Sequence, residues 1–139
     1  MEFRLLGPIE ARTDTMPQLV AGHGERALLA MLALSPGQVV TITTLIDALW
    51  NPGDLPRDPA NALQLRVSKL RRALSELGAA DRVRRDGAGY RLDADPDEVD
   101  VCRFARLIDD ARRSGEADQA IDAYDAALSL RRAAGGLPR

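Results

Sequence analysis

The sequence predicts an α+β fold in which short strands, three helices and a β-hairpin precede a final pair of helices. Apolar residues recur at alternating steps of four and three between positions 61 and 77, which is the period of a helix with one buried side. Weak alternation on both sides of Gly7-Pro8 indicates one hairpin. A second hairpin is indicated where two short strands flank Gly87-Ala88-Gly89.

Turn residues and helix caps divide the first part of the chain. Ser35-Pro36-Gly37 ends a strongly apolar segment, which therefore predicts a buried first helix. Thr41 is the expected N-cap of a second helix. The predicted elements up to this point are strands at 3–6, 9–12 and 16–20, a helix at 25–34, a candidate strand at 39–40 and a helix at 42–50.

The third helix has the clearest start and stop signals. Asp58 supplies a carboxylate cap and Pro59 suits the first helical position, whereas the preceding segment 51–57 is irregular because it holds two prolines and a glycine. Gly78 ends the helix after about Leu77. The apolar residues on its inner side are Leu63, Val67, Leu70, Leu74 and Leu77.

The last part of the chain is predicted to hold a hairpin, a polar linker and two helices that form an αα-hairpin. The linker is rich in aspartate and contains Pro96. The predicted elements are strands at 82–86 and 90–94, the linker at 93–97, and helices at 101–113 and at 117 to about 132, joined by Ser114-Gly115.

The outer side of the third helix carries the candidate binding residues, because its amide and hydroxyl groups can pair with base edges or phosphates. Leu65 is an outward apolar residue that suits contact either with a thymine methyl group or with a protein. Asn61 suits hydrogen bonds at the helix start nearly as well as contact with DNA. The outward polar residues are Asn61, Gln64, Ser68, Lys69 and Arg72, with Arg71 on the flank.

The charge distribution favours a nucleic-acid partner for the middle of the chain. The net charge of the whole chain is only −2, but residues 57–91 carry nine Lys and Arg residues against four Asp and Glu residues. The segments on either side are net negative. Local charge decides whether a surface attracts phosphates. The basic helix and the basic hairpin after it together predict a winged helix-turn-helix that presents both elements to DNA; a merely solvated helix face is the alternative.

The sequence does not favour an enzyme, a metalloprotein or a membrane protein. It shows no nucleophile with a base, and Gly87-Ala88-Gly89 is too short for a nucleotide-binding fingerprint. His23 and Cys102 have no partners at ligand spacing. No apolar run is long enough to span a bilayer, and the first residues lack the pattern of a signal peptide. We therefore expect a cytoplasmic protein with no cofactor, metal, membrane or small-molecule substrate.

Four motifs resemble the OmpR-type winged-helix domain and, more narrowly, the Streptomyces antibiotic regulatory protein family of transcriptional activators. They are Arg26 to Leu32, Leu45 to Trp50, Asn61 to Leu74 and Gly89 to Leu92. Two later segments, 100–104 and 115–130, resemble the opening of that family's bacterial transcriptional activation domain, which is built of tetratricopeptide-like helix pairs. The implied domains are a winged helix at 1–95 and the first helical hairpin of a truncated activation domain at 96–139.

The resemblance implies a role for each element. Helix 59–77 enters the major groove, the hairpin at 82–94 is the wing that approaches the DNA backbone or minor groove, and loop 51–58 lies where related activators touch RNA polymerase. Members bind side by side on direct repeats about one helical turn apart, and they recruit polymerase to promoters of secondary-metabolite gene clusters. The basic wing residues are Arg84, Arg85 and Arg91.

The chain also departs from the family pattern. Gly24-Glu25 stands where members often have Lys-Gln, Asp86 where related wings often have a basic residue, and Arg131 where the second domain usually has Trp. Only one helix pair of the second domain is present, so the chain is either a fragment of a longer regulator or a winged helix with an accessory pair. Glu25 and Asp86 keep a second hypothesis open: a protein-interaction module that has lost DNA binding and works through Leu65 and the helical pair.

Overall fold

The computed structural model describes residues 1–13, 17–20, 22–113 and 125. The predicted helix at 117–132 and the turn at Ser114-Gly115 therefore lie outside the described residues, apart from Asp125, which is helical. No helix in the described ranges is both long and apolar enough to cross a membrane. The elements in chain order are β1 (Glu2–Arg4), β2 (Glu10–Arg12), β3 (Pro17–Leu19), α1 (His23–Ala33), β4 (Val40–Thr41), α2 (Ile42–Leu49), α3 (Pro59–Ser75), β5 (Val83–Asp86), β6 (Gly89–Leu92) and α4 (Asp100–Arg113).

The first three strands form an antiparallel sheet in the order β1-β2-β3. Phe3 pairs with Ala11, which in turn pairs with Gln18. Phe3 and Ala11 are both fully buried, so this register turns one face of the sheet toward the core. The predicted N-terminal hairpin and third strand are confirmed, with shorter strands than the sequence indicated. Gly7 adopts a φ of 99° in the connecting turn, a conformation that favours glycine.

Helices α1, α2 and α3 pack together beneath this sheet, and both predicted side-chain caps form. The Thr41 hydroxyl accepts the backbone N–H of Thr44 at 3.2 Å, and the Asp58 carboxylate accepts that of Asn61 at 3.2 Å. The predicted inner stripe of α3 is confirmed for four of its five residues; the fifth, Leu77, lies beyond the end of the helix and is only partly buried. The fully buried residues of the three helices are Leu63, Val67, Leu70 and Leu74 in α3, Leu28, Leu29, Leu32 and Ala33 in α1, and Leu45 in α2.

Helix α3 ends two residues earlier than predicted because its last turn tightens. The N–H groups of Leu77 and Gly78 donate to carbonyls three residues back, and Ala79 N–H also donates to the Leu74 carbonyl. Gly78 follows at a φ of 69°, as its role as a helix stop requires.

The second sheet has the order β4-β6-β5 and joins the helices to the wing. Val40 pairs with Tyr90, and Tyr90 with Arg85 on the other side. The short strand predicted at 39–40 is displaced by one residue, since Val40 and Thr41 make the pairs and Val39 is exposed. A Cβ atom at Gly89 would lie 2.1 Å from the Val40 carbonyl oxygen, so β4 can approach β6 only at a glycine.

The hairpin strands are also shorter than the predicted 82–86 and 90–94. The backbone of Asp93 still donates to the Arg82 carbonyl at 2.7 Å, but Ala94 turns back to donate to the Leu92 carbonyl at 2.9 Å. This turn ends strand pairing after Leu92 and leads the chain toward α4.

The start of α4 is attached to the N-terminal sheet. Asp100 is 2% exposed, and its carboxylate accepts the backbone N–H groups of Leu5 at 2.7 Å and Leu6 at 3.1 Å. The preceding residue, Val99, is fully buried and forms a parallel bridge with Phe3. The polar segment before α4 therefore ends in residues that belong to the core of the winged helix.

Glu98 joins the same junction to the base of the hairpin. It accepts two hydrogen bonds from the Arg82 guanidinium, at 2.9 and 3.1 Å, and one from the Asp95 N–H at 3.0 Å. Burial opposes ionisation of this carboxyl group. The hydrogen bonds and charge of Arg82, with the nearby chain amino group, outweigh burial and hold the pKa of Glu98 below its ordinary value.

We expect Asp100→Ala to lower the free energy of unfolding by about 2 kcal/mol, because two backbone donors lose their acceptor. Urea unfolding followed by circular dichroism measures this. Asp97→Ala is the matched control, since the Asp97 carboxylate is exposed and pairs with Arg106 on the surface; its free energy of unfolding is expected to fall by no more than about 0.5 kcal/mol. Equal losses in the two variants would show that the buried carboxylate has no special role.

Candidate nucleic-acid interface

The outer side of α3 forms one continuous exposed surface, which we call the outer face. It exists because the opposite side of the helix is committed to the core, so residues between the buried positions must point outward. Leu65, at 56% exposure, is the large apolar residue on it. Six of the sequence-predicted residues are exposed there: Asn61, Gln64, Leu65, Ser68, Lys69 and Arg72.

Lys69 and Arg72 are the available cations of this face. Within the described part of the chain, neither side chain makes a hydrogen bond or an ion pair. They line a pocket of about 230 Å³ between the start of α1 and the second half of α3. Glu25 and Glu76 line the same pocket without pairing with either cation, and the Glu25 carboxylate lies over Gly22, 2.5 Å from where a Cβ atom would be. The two cations are therefore free to take an anionic partner.

Arg71 differs from the other predicted residues of α3 because it is half-buried and bound to the hairpin. Its Nε donates to the Val83 carbonyl at 2.9 Å, which ties α3 to β5. The same side chain lines an open groove together with Arg84 and Arg85. Arg71 thus fixes the angle between the outer face and the hairpin while its charge stays at their junction.

Two of the hairpin arginines are exposed and held by local contacts. The Nε of Arg84 donates to the Asp81 carbonyl at 3.2 Å, and its guanidinium is 3.6 Å from the Asp93 carboxylate. Arg85 lies 5.3 Å from the centre of the Tyr90 ring and donates to the Tyr90 hydroxyl at 3.4 Å. Both side chains remain accessible beside the groove.

Arg91 and Asp86 form an ion pair across the hairpin, with 3.1 Å between Nη1 and Oδ2. Arg91 stands opposite Arg84 in the strand register, so the pair also relieves repulsion between two like charges. The Nε of Arg91 is buried and has no hydrogen-bond partner in the described chain. The carboxylate that departs from the family pattern is therefore balanced within the hairpin.

Sequence reasoning missed one cation beside the outer face. Arg66 stacks on Trp50 with 4.1 Å between its Cζ atom and the ring centre. The helical period places Arg66 on the flank of α3, and the ring of Trp50 is partly buried against the core. The signal that could have found the pair is a tryptophan at the end of one helix and an arginine about two turns into the next.

Comparison with known proteins agrees with this architecture. Residues 18–92 match the family model described as transcriptional regulatory protein, C terminal. The chain is 32% identical to the regulatory protein DnrI of Streptomyces peucetius, over 94% of this chain and 51% of DnrI. It is also 32% identical to the transcriptional regulator RedD of Streptomyces coelicolor, over 94% of this chain and 39% of RedD.

A solved structure shows the same fold. It is EmbR of Mycobacterium tuberculosis in complex with a low-affinity phosphopeptide, and it matches with a TM-score of 0.77 and 30% identity. The match covers 94% of this chain and 36% of EmbR. The chain spans about half the length of DnrI and smaller shares of RedD and EmbR.

Asp86→Asn is expected to tighten duplex binding severalfold, because it removes a negative charge from the hairpin and frees Arg91 for a phosphate. If Arg91 takes one phosphate contact, the plot of log affinity against log salt becomes steeper by about 0.9. Fluorescence anisotropy over a salt series measures both quantities. Asp109→Asn is the control with the same change in charge, on α4; equal effects of the two substitutions would contradict the assignment to the Asp86–Arg91 pair.

Proposed function

We propose that this chain, which belongs to the Streptomyces antibiotic regulatory protein family of OmpR-type winged helices, binds promoter direct repeats and activates transcription. Its matched relatives are transcriptional regulators. Because the chain spans only part of those proteins, the activity, target and partners of the whole regulator are our proposals.

The observation that carries the proposal is the outer face of α3, where two cations without a partner among the described residues lie next to polar side chains and a basic hairpin. In the proposed complex α3 lies in the major groove. Asn61 and Gln64 pair with base edges or phosphates, Ser68 permits close approach, and Lys69 and Arg72 provide charge. Arg71, Arg84 and Arg85 then lie toward the backbone on the hairpin side, with Arg91 behind them.

The loop before α3 supports a role in recruiting RNA polymerase. Residues 51–55 are all exposed, and Leu55 is 49% exposed although it is apolar. In our proposal Leu55 is the apolar side chain that this loop offers to a protein partner. In our proposal this loop contacts RNA polymerase. Two copies of the regulator lie side by side on DNA repeats about one helical turn apart.

The proposed domains are those that the sequence predicts. We propose that residues 1–95 form the DNA-binding domain, with Val99 and Asp100 packed against it, and that segment 96–139 belongs to an activation domain. We propose that the regulator acts in the cytoplasm on secondary-metabolite gene clusters and needs no cofactor.

Arg72→Ala tests the proposal directly. We expect it to weaken binding to a direct-repeat duplex by about 1–3 kcal/mol, and to relax sequence preference if Arg72 reads a base. Anisotropy with a direct-repeat duplex and a scrambled duplex measures both effects. Arg112→Ala, which removes an equal charge from α4, is expected to bind like the wild type. Weak binding of the wild type to both duplexes, without salt dependence, would favour the protein-interaction module instead.

Leu65 offers a second test, at the level of one methyl group. If Leu65 contacts a thymine methyl, replacing the thymines of the duplex by uracil should weaken wild-type binding by about 0.8 kcal/mol per methyl contact. Leu65→Ala should then be insensitive to the same replacement, so the two changes are coupled in a double-mutant cycle. Independent effects of protein and DNA changes would assign Leu65 to a protein contact.

A further inference from the structure

Arg66 occupies a built position between the three helices of the winged helix. Its guanidinium lies over the Trp50 ring at the end of α2, with 4.1 Å between Cζ and the ring centre. On α1, a Cβ atom at Gly24 would lie 2.7 Å from the Nε of Arg66 and 2.8 Å from its Cζ. The arginine can take this position only because residue 24 has no side chain.

This position holds the guanidinium in place without neutralising its charge. Stacking on an aromatic face uses the plane of the group and leaves the N–H donors at its edge free. In the described part of the chain, Arg66 makes no hydrogen bond and no ion pair with a carboxylate. An immobilised cation loses little conformational freedom when it binds an anion.

Arg66 also extends the cations of the outer face into a row. Arg66, Lys69 and Arg72 follow one another at intervals of three residues, and side chains at this spacing are neighbours on a helix. With a rise of about 1.5 Å per residue the row covers about 9 Å along α3. It crosses the helix obliquely from the α1 and α2 flank to the centre of the outer face. All three cations lack an acidic partner in the described chain.

The other flank of α3 holds a matching cation. Arg71 lies there and is fixed by the Val83 carbonyl, beside the hairpin. The outer face is therefore bordered on each side by an arginine whose direction is set by a neighbouring element. A helix that lies in the major groove has a phosphate backbone on each side of it.

We infer that Arg66 is a DNA-binding residue that contacts a backbone phosphate on the side of the groove opposite the wing. Trp50 and Gly24 are positioning residues for its guanidinium. This inference rests on the proposed duplex binding. The contact is independent of base sequence, because phosphates carry none.

The test is the salt dependence of binding to a mixed-sequence duplex, measured by fluorescence anisotropy from about 50 to about 200 mM salt. Arg66→Gln is expected to make the slope of log affinity against log salt shallower by about 0.9, so this rise in salt weakens the variant about 3.5-fold less than the wild type. Arg66→Met, which keeps an apolar stem over Trp50, should show the same shallow slope. Arg66→Lys keeps the charge and should restore the wild-type slope.

A purely structural role for Arg66 would give a different pattern. It would lower the unfolding temperature of the Gln, Met and Lys variants without changing the slope, and that result would overturn the inference while leaving duplex binding intact. Arg106→Gln, an equal charge change on α4, is the control and should keep the wild-type slope. If the wild type itself shows no salt-dependent binding, the proposed function and this inference both fail.

Discussion

The buried stripe of α3 is the constraint on which the rest of the structure depends. Leu63, Val67, Leu70 and Leu74 are at most 1% exposed, and fully burying such side chains contributes about 1.5–3 kcal/mol each. A rotation of α3 by one residue would expose part of this stripe and bury polar groups without partners. The core therefore decides which side chains point outward. The outer face is a consequence of packing, and its chemistry can change without disturbing the fold.

The position of α3 relative to the hairpin is fixed by a second set of contacts. Gly89 lets β4 lie against β6, and Arg71 joins α3 to β5 through the Val83 carbonyl. Ion pairs within and below the hairpin neutralise some of the basic residues. Asp86 balances Arg91 within the hairpin and Glu98 balances Arg82 at its base, whereas Lys69 and Arg72 stay unpaired in the described chain. Only some of the basic residues of segment 57–91 are therefore available to contact phosphate, and these lie mainly on α3.

What the sequence predicts well is local. The stripe of α3, the caps at Thr41 and Asp58 and the hairpin turn at Gly87 each depend on residues within a few positions of one another, so periodicity and turn chemistry reveal them. Contacts between distant segments leave no such pattern. No residue near Asp100 in the sequence distinguishes it from the other carboxylates of its segment, yet it binds the backbone of Leu5, 95 residues earlier.

The same limit explains the candidate site. Exposure of the predicted outer residues followed from the helical period, but the direction of each arginine did not. Arg66 takes its position from Trp50 on α2 and Gly24 on α1, and Arg71 takes its own from β5. The junction adds one more consequence of this kind. Since Asp100 and Glu98 attach the start of α4 to the N-terminal sheet and to Arg82 at the base of the hairpin, α4 begins as part of the winged helix. The direction of α4 is then set by the same core that orients α3, so α4 starts at a fixed angle to the outer face.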